Sequence, residues 1–346
     1  MPSGQFAAIA SAILFGVSPV LCKLVIGDMS PLLLAGLLYL GSGLGLLLVL
    51  LGQRRDPLRD LARLSRHHRA KLLGAIVAGG MIAPVCLTYG IKYGTAAEVS
   101  LLLNLETVAT TVLAWLFFRE HVSGAVWMGK ALILVAAALV VITGGETLSF
   151  SSSGLLVVLA CLFWGVDNNL TRDVDELPPT VLAGVKGLSA GVLNIALAIV
   201  MTPGAVSGGQ IGGGLLIGAL SYGASLVLFV QALRGIGSAR TSTFFAAGPF
   251  VGMLLAVLLL GEQPPFIYWP AMALMLGGIA LLCREAHGHH HEHDELAHAH
   301  KHAHDDHHRH EHDDAGTEPH EHHHVHEPLA HHHVHWPDIH HRHGHS

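Results

Sequence analysis

Charge and cysteine are scarce in this chain. Asp, Glu, Lys and Arg make up 13% of its 346 residues, and the four cysteines, Cys22, Cys86, Cys161 and Cys283, stand singly in apolar runs with no CxxC pair. A disulfide framework and a thiolate zinc site are therefore not expected, and the cysteines read as small packing residues. No phosphate-binding loop, nucleophile elbow or pair of catalytic carboxylates on a polar segment occurs, so the sequence gives no footing for an enzyme. Histidine is almost missing from the first 283 residues, which hold only His67, His68 and His121, all in expected loops. No basic n-region precedes the first apolar run, which is longer than a signal h-region and reads as a retained span.

What is present is apolar sequence, 51% of the residues, cut into runs of about twenty by short polar breaks. A run of that length with few charges spans the roughly 30 Å hydrocarbon core of a bilayer. Ten spans fit, at about 5–26, 31–52, 72–92, 96–118, 123–143, 154–171, 179–201, 212–233, 239–260 and 266–283. The longest internal loop holds Arg54, Arg55, Arg59, Arg63, Arg66, Arg69 and Lys71, and short basic loops stay in the cytoplasm. Ten crossings then place both termini on the cytoplasmic side of an inner, plasma membrane.

The chain also repeats itself. Displaced by 142 residues without a gap, Ile91-Lys92 falls on Leu233-Arg234, Ala97 on Ala239, Ser100 on Ser242, Leu113-Ala114 on Leu255-Ala256, and Glu120 on Glu262. A looser match sets Leu14–Ser18 against Phe163–Asp167. The expected fold is an all-α membrane protein of ten transmembrane helices in two inverted five-helix repeats, 1–148 and 149–283, followed by a tail, 284–346. Five being odd, the second copy enters from the opposite side, which puts Glu120 inside and Glu262 outside. Inverted repeats of this kind characterise secondary carriers, whose site lies near the midplane between the halves.

Both halves close a fourth span with an apolar run and Glu: Ala114-Trp115-Leu116-Phe117-Phe118-Arg119-Glu120 and Ala256-Val257-Leu258-Leu259-Leu260-Gly261-Glu262. In this the core resembles the EamA-type branch of the drug/metabolite transporter superfamily; the strings Ser100–Glu106 and Trp164–Arg172 look like a subgroup of it. The resemblance implies a ten-helix carrier of small metabolites or drugs, commonly an exporter, driven by proton or solute exchange. It does not extend to the tail.

Within the spans, Glu106 is the first candidate for substrate binding or coupling, because an ionised carboxylate at mid-membrane is costly unless it faces a partner or water. Asn104 lies two residues away on a different face, and Glu98 shares the face of Glu106 two turns earlier. Asp167, Asn168 and Asn169 follow one another at the end of the sixth span, about 100° apart, so at least one faces a helix or a cavity. Lys186 on the seventh span can pair with Asp167 or reach Glu106. The competing reading is a helix-fixing ion pair with the asparagines bonded to neighbouring helices. Pro84, after Gly79-Gly80, and Pro249, after Gly248, each remove a backbone hydrogen bond that must be met elsewhere. Phe15, Trp164, Tyr89 and Tyr222 could line a pocket or serve as packing.

The tail of 63 residues holds 26 of the 29 histidines and is net −9, against net +3 for residues 1–283. It has too little apolar surface to fold alone and is expected to be disordered until a ligand orders it. His289, His290, His291, His298, His300, His302, His304, His322, His323, His324, His331, His332 and His333 alternate with carboxylates, an exchangeable ligand set for zinc, nickel or cobalt. No cofactor is required. The expected partners are the bilayer and a small-molecule or metal-ion cargo, with no nucleic acid and a homodimer left open. Three functions compete: a secondary carrier of a small solute, a transition-metal transporter fed by the tail, and a membrane-anchored metal buffer or sensor.

Overall fold

A computed structural model describes residues 3–118, 122–142, 151–172, 174, 176–229, 231–232, 244–284, 287–293, 296–302, 320–326 and 329–335. Eight of the described helices are long and apolar enough to cross a membrane: Gly4–Ile26, Pro31–Gly52, Arg66–Tyr93, Ala96–Phe117, Gly124–Ile142, Ser152–Thr171, Pro179–Met201 and Gly208–Phe229, numbered here as the first to eighth spans. Two shorter apolar helices, Gly248–Leu260 and Tyr268–Leu281, stand where the ninth and tenth spans are expected. Residues 239–243, the expected start of the ninth span, lie outside the described residues, and Gly261 stops that helix in the left-handed region at φ 65°. Pro264 and Pro265 delay the start of the tenth to Tyr268.

The packing between the first five helices and the last five is symmetric. The second span packs on the seventh, the fifth on the tenth helix, and the fourth on the ninth. The contact of third with sixth is mirrored by first with eighth, and that of fourth with sixth by first with ninth. Second and seventh approach closely because glycine meets glycine: a Cβ on Gly187 would lie 2.7 Å from the Gly43 nitrogen. Apolar helices gain little from the hydrophobic effect inside lipid, so such close backbone approach supplies the packing.

The 142-residue displacement reappears as geometry. The third span contains a π-helical turn at Ile76–Ile82, and the eighth contains one at Gly218–Ala224, at the same displacement. π turns are rare and concentrate at functional sites. Pro84 follows the first turn directly, and its missing N–H deprives the Gly80 carbonyl of a helical partner; Asn194 Nδ2 of the seventh span supplies one at 3.2 Å. Pro249 marks the corresponding interruption in the ninth span. Residues 244–245 are helical, 246–247 form a turn, and the helix resumes at Gly248 with Pro249 in its first turn, where no N–H is needed, so Pro249 stands at a break within the expected span.

Residues 285–346 form a separate unit. Its described residues form four strands: β1 (His287–His293), β2 (Leu296–His302), β3 (His320–His326) and β4 (Leu329–His335). β1 pairs with β4 and β2 with β3, both antiparallel. A two-stranded ribbon is marginal by itself in water. His304 lies outside the described residues.

Candidate functional site

Three expected residues meet at the first π turn. Lys186 of the seventh span donates to both carboxylate oxygens of Asp167 on the sixth, at 2.5 and 2.6 Å, and Thr171 Oγ1 donates to Asp167 Oδ1 at 2.9 Å. Both ions are largely buried, with 7% of the Asp167 side chain and 13% of the Lys186 side chain exposed. Gly79 leaves the room they occupy, since a Cβ there would fall inside the Asp167 carboxylate. The Gly79 carbonyl accepts from the Tyr39 hydroxyl at 2.5 Å and from Trp164 Nε1 at 3.1 Å, and Trp164 Nε1 is also 3.2 Å from the Tyr39 oxygen. Spans two, three, six and seven are thus joined at one polar knot. Of the two acids within its expected range, Lys186 takes Asp167 and leaves Glu106 to other donors.

Glu106 occupies a different setting. The fourth span breaks at Leu103-Asn104, and Glu106 lies in the first turn of the helix that resumes at Leu105. Its carboxylate accepts from Asn168 Nδ2 at 2.9 Å, and that amide also reaches Thr110 Oγ1 at 3.1 Å. Asn168 is exposed and Glu106 half-buried, whereas Asp167 and Asn169 beside them are buried. Asn169 donates to the Thr110 and Gly165 carbonyls at 3.1 and 2.8 Å, a purely helix-joining role. Asn104 is buried at the break, with Nδ2 3.3 Å from the Leu101 carbonyl and 3.7 Å from Met275 Sδ. It does not join Glu106, in keeping with its different face.

Four aromatic rings form a connected group in the bundle. Phe15 and Tyr222 lie edge to face with centroids 6.0 Å apart, Tyr222 and Tyr39 are 6.1 Å apart, and Phe15 and Phe245 are 5.2 Å apart. Tyr39 and Tyr222 are within electrostatic reach of Glu106, and the Tyr222 hydroxyl is buried without a hydrogen bond of good geometry. Tyr222 belongs to the second π turn, so the two π turns contribute Gly79 and Tyr222 to this region. Tyr89 instead stacks on Tyr93, 6.1 Å away, apart from this group.

Sequence reasoning missed Tyr39, Asn194 and Lys130. The last is a buried cation in the fifth span whose Nζ donates to the Thr107 carbonyl at 3.0 Å. A charge in an apolar run and an amide in mid-span were available signals for two of them; Tyr39 gave none beyond its polar tip. Among the described residues no group of three or more His, Cys, Asp or Glu could hold a metal ion. Glu120 lies outside the described residues.

A bundle of apolar spans, packed alike in its first and last five helices, defines a multi-pass membrane protein. The family model of the EamA-like transporter family matches residues 2–142 and again residues 151–284, and the chain belongs to that family. An uncharacterised transporter of Methanothermobacter thermautotrophicus is 26% identical over 306 residues, covering 81% of this chain and 85% of that protein. The uncharacterised inner membrane transporter YedA of Escherichia coli K12 is 25% identical over 286 residues, 80% of this chain and 89% of its own. A probable terminal-alkyne amino-acid exporter of Streptantibioticus cattleyicolor is 28% identical over 249 residues, 69% of this chain and 78% of its own. One solved crystal structure shares the fold, with a TM-score of 0.60 at 19% identity over 82% of this chain and 97% of that one.

Proposed function

We propose that the protein is a secondary carrier that exports or exchanges a small solute bearing a protonated amine, by alternating access between two inverted five-helix halves. The observation that carries the reading is Glu106: a half-buried carboxylate that, among the described residues, accepts a side-chain hydrogen bond from the neutral Asn168 amide and forms no ion pair, at a helix break, with Tyr39 and Tyr222 within electrostatic reach. A carboxylate with nearby aromatic faces suits an ammonium group through charge and cation–π attraction. Proton and solute compete for Glu106, which links cargo to a proton. The symmetric packing and the paired π turns support two repeats, and the basic loop 54–71 supports cytoplasmic termini. The probable amino-acid exporter among the relatives points to the same solute class.

The tail, in this reading, binds divalent transition ions and is separate from the transport step. In the paired strands His289 stands opposite His333, His290 opposite His332 and His291 opposite His331; His298 stands opposite His324 and His300 opposite His322. The alternative, a metal carrier fed by the tail, lacks any metal-ligand group among the described residues of the bundle. Flux in proteoliposomes decides between them, comparing amino acids and amines with zinc, nickel and cobalt for the full chain and for a chain ending at Cys283. Amine flux that survives truncation is expected; metal flux lost on truncation would overturn the reading.

A further inference from the structure

At the end of the bundle opposite the basic loop, the turn between the third and fourth spans is held from two sides. Lys23, in the last turn of the first span, donates to the carbonyls of Ile91, Lys92 and Gly94 at 2.6, 3.2 and 2.5 Å. Lys92 returns the contact, donating to the Met29 carbonyl at 3.0 Å. From the other half of the chain, Glu262 accepts from the backbone N–H groups of Ala96 and Ala97, at 2.8 and 2.9 Å on separate oxygens. Those N–H groups open a helix and have no partner within it, so the carboxylate satisfies donors that would otherwise need water. Gly261, left-handed at φ 65°, turns the chain back directly before Glu262. The second carboxylate here, Glu98, is buried; it accepts from Ser153 Oγ at 2.7 Å, and its other oxygen has no hydrogen-bond partner among the described residues.

This cluster ties the first span, the third-to-fourth turn and the ninth helix together, and so ties one half to the other at a single end. All its strong contacts to Glu262 are to backbone, which lets the turn separate from the carboxylate as a unit without repacking side chains. We propose that Lys23 and Glu262 form a latch that holds this end of the bundle shut and releases it when the carrier turns its site to that side. The latch rests on the alternating-access reading above. Glu262, the acid that closes the apolar run of the second half, thereby fastens the fourth span across the interface between the halves.

Cys22 is a built-in reporter, fully buried one residue before Lys23 and within electrostatic reach of Tyr222. In full-length protein with Cys86, Cys161 and Cys283 replaced by Ala, the rate at which an impermeant maleimide added outside intact cells labels Cys22 reads opening at this end. Losing a charge-assisted pair of bonds should raise that rate about tenfold in Glu262→Gln and in Lys23→Met. Glu262→Asp, which keeps the charge but shortens its reach, should fall between and serves if the other variants fail to fold. Glu176→Gln, at the opposite end, should leave the rate unchanged. Wild-type rates in folded Glu262→Gln and Lys23→Met, or in folded Glu262→Asp, would overturn the latch. No solute is added, so failure to find a transported amine would leave this outcome readable.

Discussion

Asp167 and Glu106 are both carboxylates in apolar spans, yet their surroundings differ in every respect that sets a role. Asp167 has a lysine within 2.6 Å, a threonine hydroxyl and a glycine cleared to receive it, and it is buried. Among the described residues Glu106 accepts from one neutral side-chain amide, and it is half-buried at a helix break. The buried pair joins the sixth span to the seventh, with its hydrogen bonds made within the bundle. A carboxylate with a neutral partner keeps its charge available. In the proposed mechanism the same residue class in the same kind of span serves as a fastening in one place and as the site in the other.

Substitution at the fastening should have the largest effect. Removing one partner of a buried pair strands the other charge, at a cost of about 3 to 5 kcal/mol. Asp167→Asn and Lys186→Met alone should each sharply lower folded protein in the membrane, and the double substitution should recover most of it. Yield and melting temperature in detergent check this. If the singles fold normally, the pair is not structural.

Gly79→Ala should cost less, about 1 to 3 kcal/mol, because the added methyl collides with the Asp167 carboxylate that the pair holds in place. In the Asp167→Asn, Lys186→Met background the collision should be partly relieved. Asn194→Leu leaves the Gly80 carbonyl without its donor next to Pro84, and should lower stability by about 1 to 3 kcal/mol. A melting curve unchanged by Asn194→Leu would mean that the π turn does not depend on side-chain donors.

The smallest effect is expected at Glu176, an exposed loop carboxylate. The Ser65 N–H, 3.1 Å away, and then His68, 2.8 Å away, hold its carboxyl below the ordinary value of 4.5. A carboxyl lowered in the folded state stabilises above its unfolded value and loses that contribution as pH falls through the folded one. The difference in melting temperature between wild type and Glu176→Gln should therefore be small but present at neutral pH, and vanish on acidification past that range. A difference that grows on acidification would contradict the assignment.

The architecture was legible in the sequence because bilayer thickness imposes run length and the repeat preserves register. The displacement that aligns Ala97 with Ala239 also relates the π turns. What was not legible was partner choice. That Lys186 takes Asp167 and not Glu106, or that Asn194 completes the carbonyl exposed by Pro84, depends on helix rotation and on which faces meet, and periodicity within one span carries no information about either. Glu262 was visible as a repeated acid, but its bond to Ala96 and Ala97 joins residues 165 to 166 positions apart.

In the proposed mechanism Glu106 carries the proton-linked step and Asp167 does not. The pH profile of amine flux in proteoliposomes tests this most directly, for wild type, for Glu106→Gln and for the Asp167→Asn, Lys186→Met double variant. Glu106→Gln is expected to lower flux about tenfold or more and to flatten the profile while folded protein is retained. The double variant should keep the wild-type profile on whatever protein folds. A wild-type profile in Glu106→Gln, with a flattened one in the double variant, would contradict the assignment of the two acids.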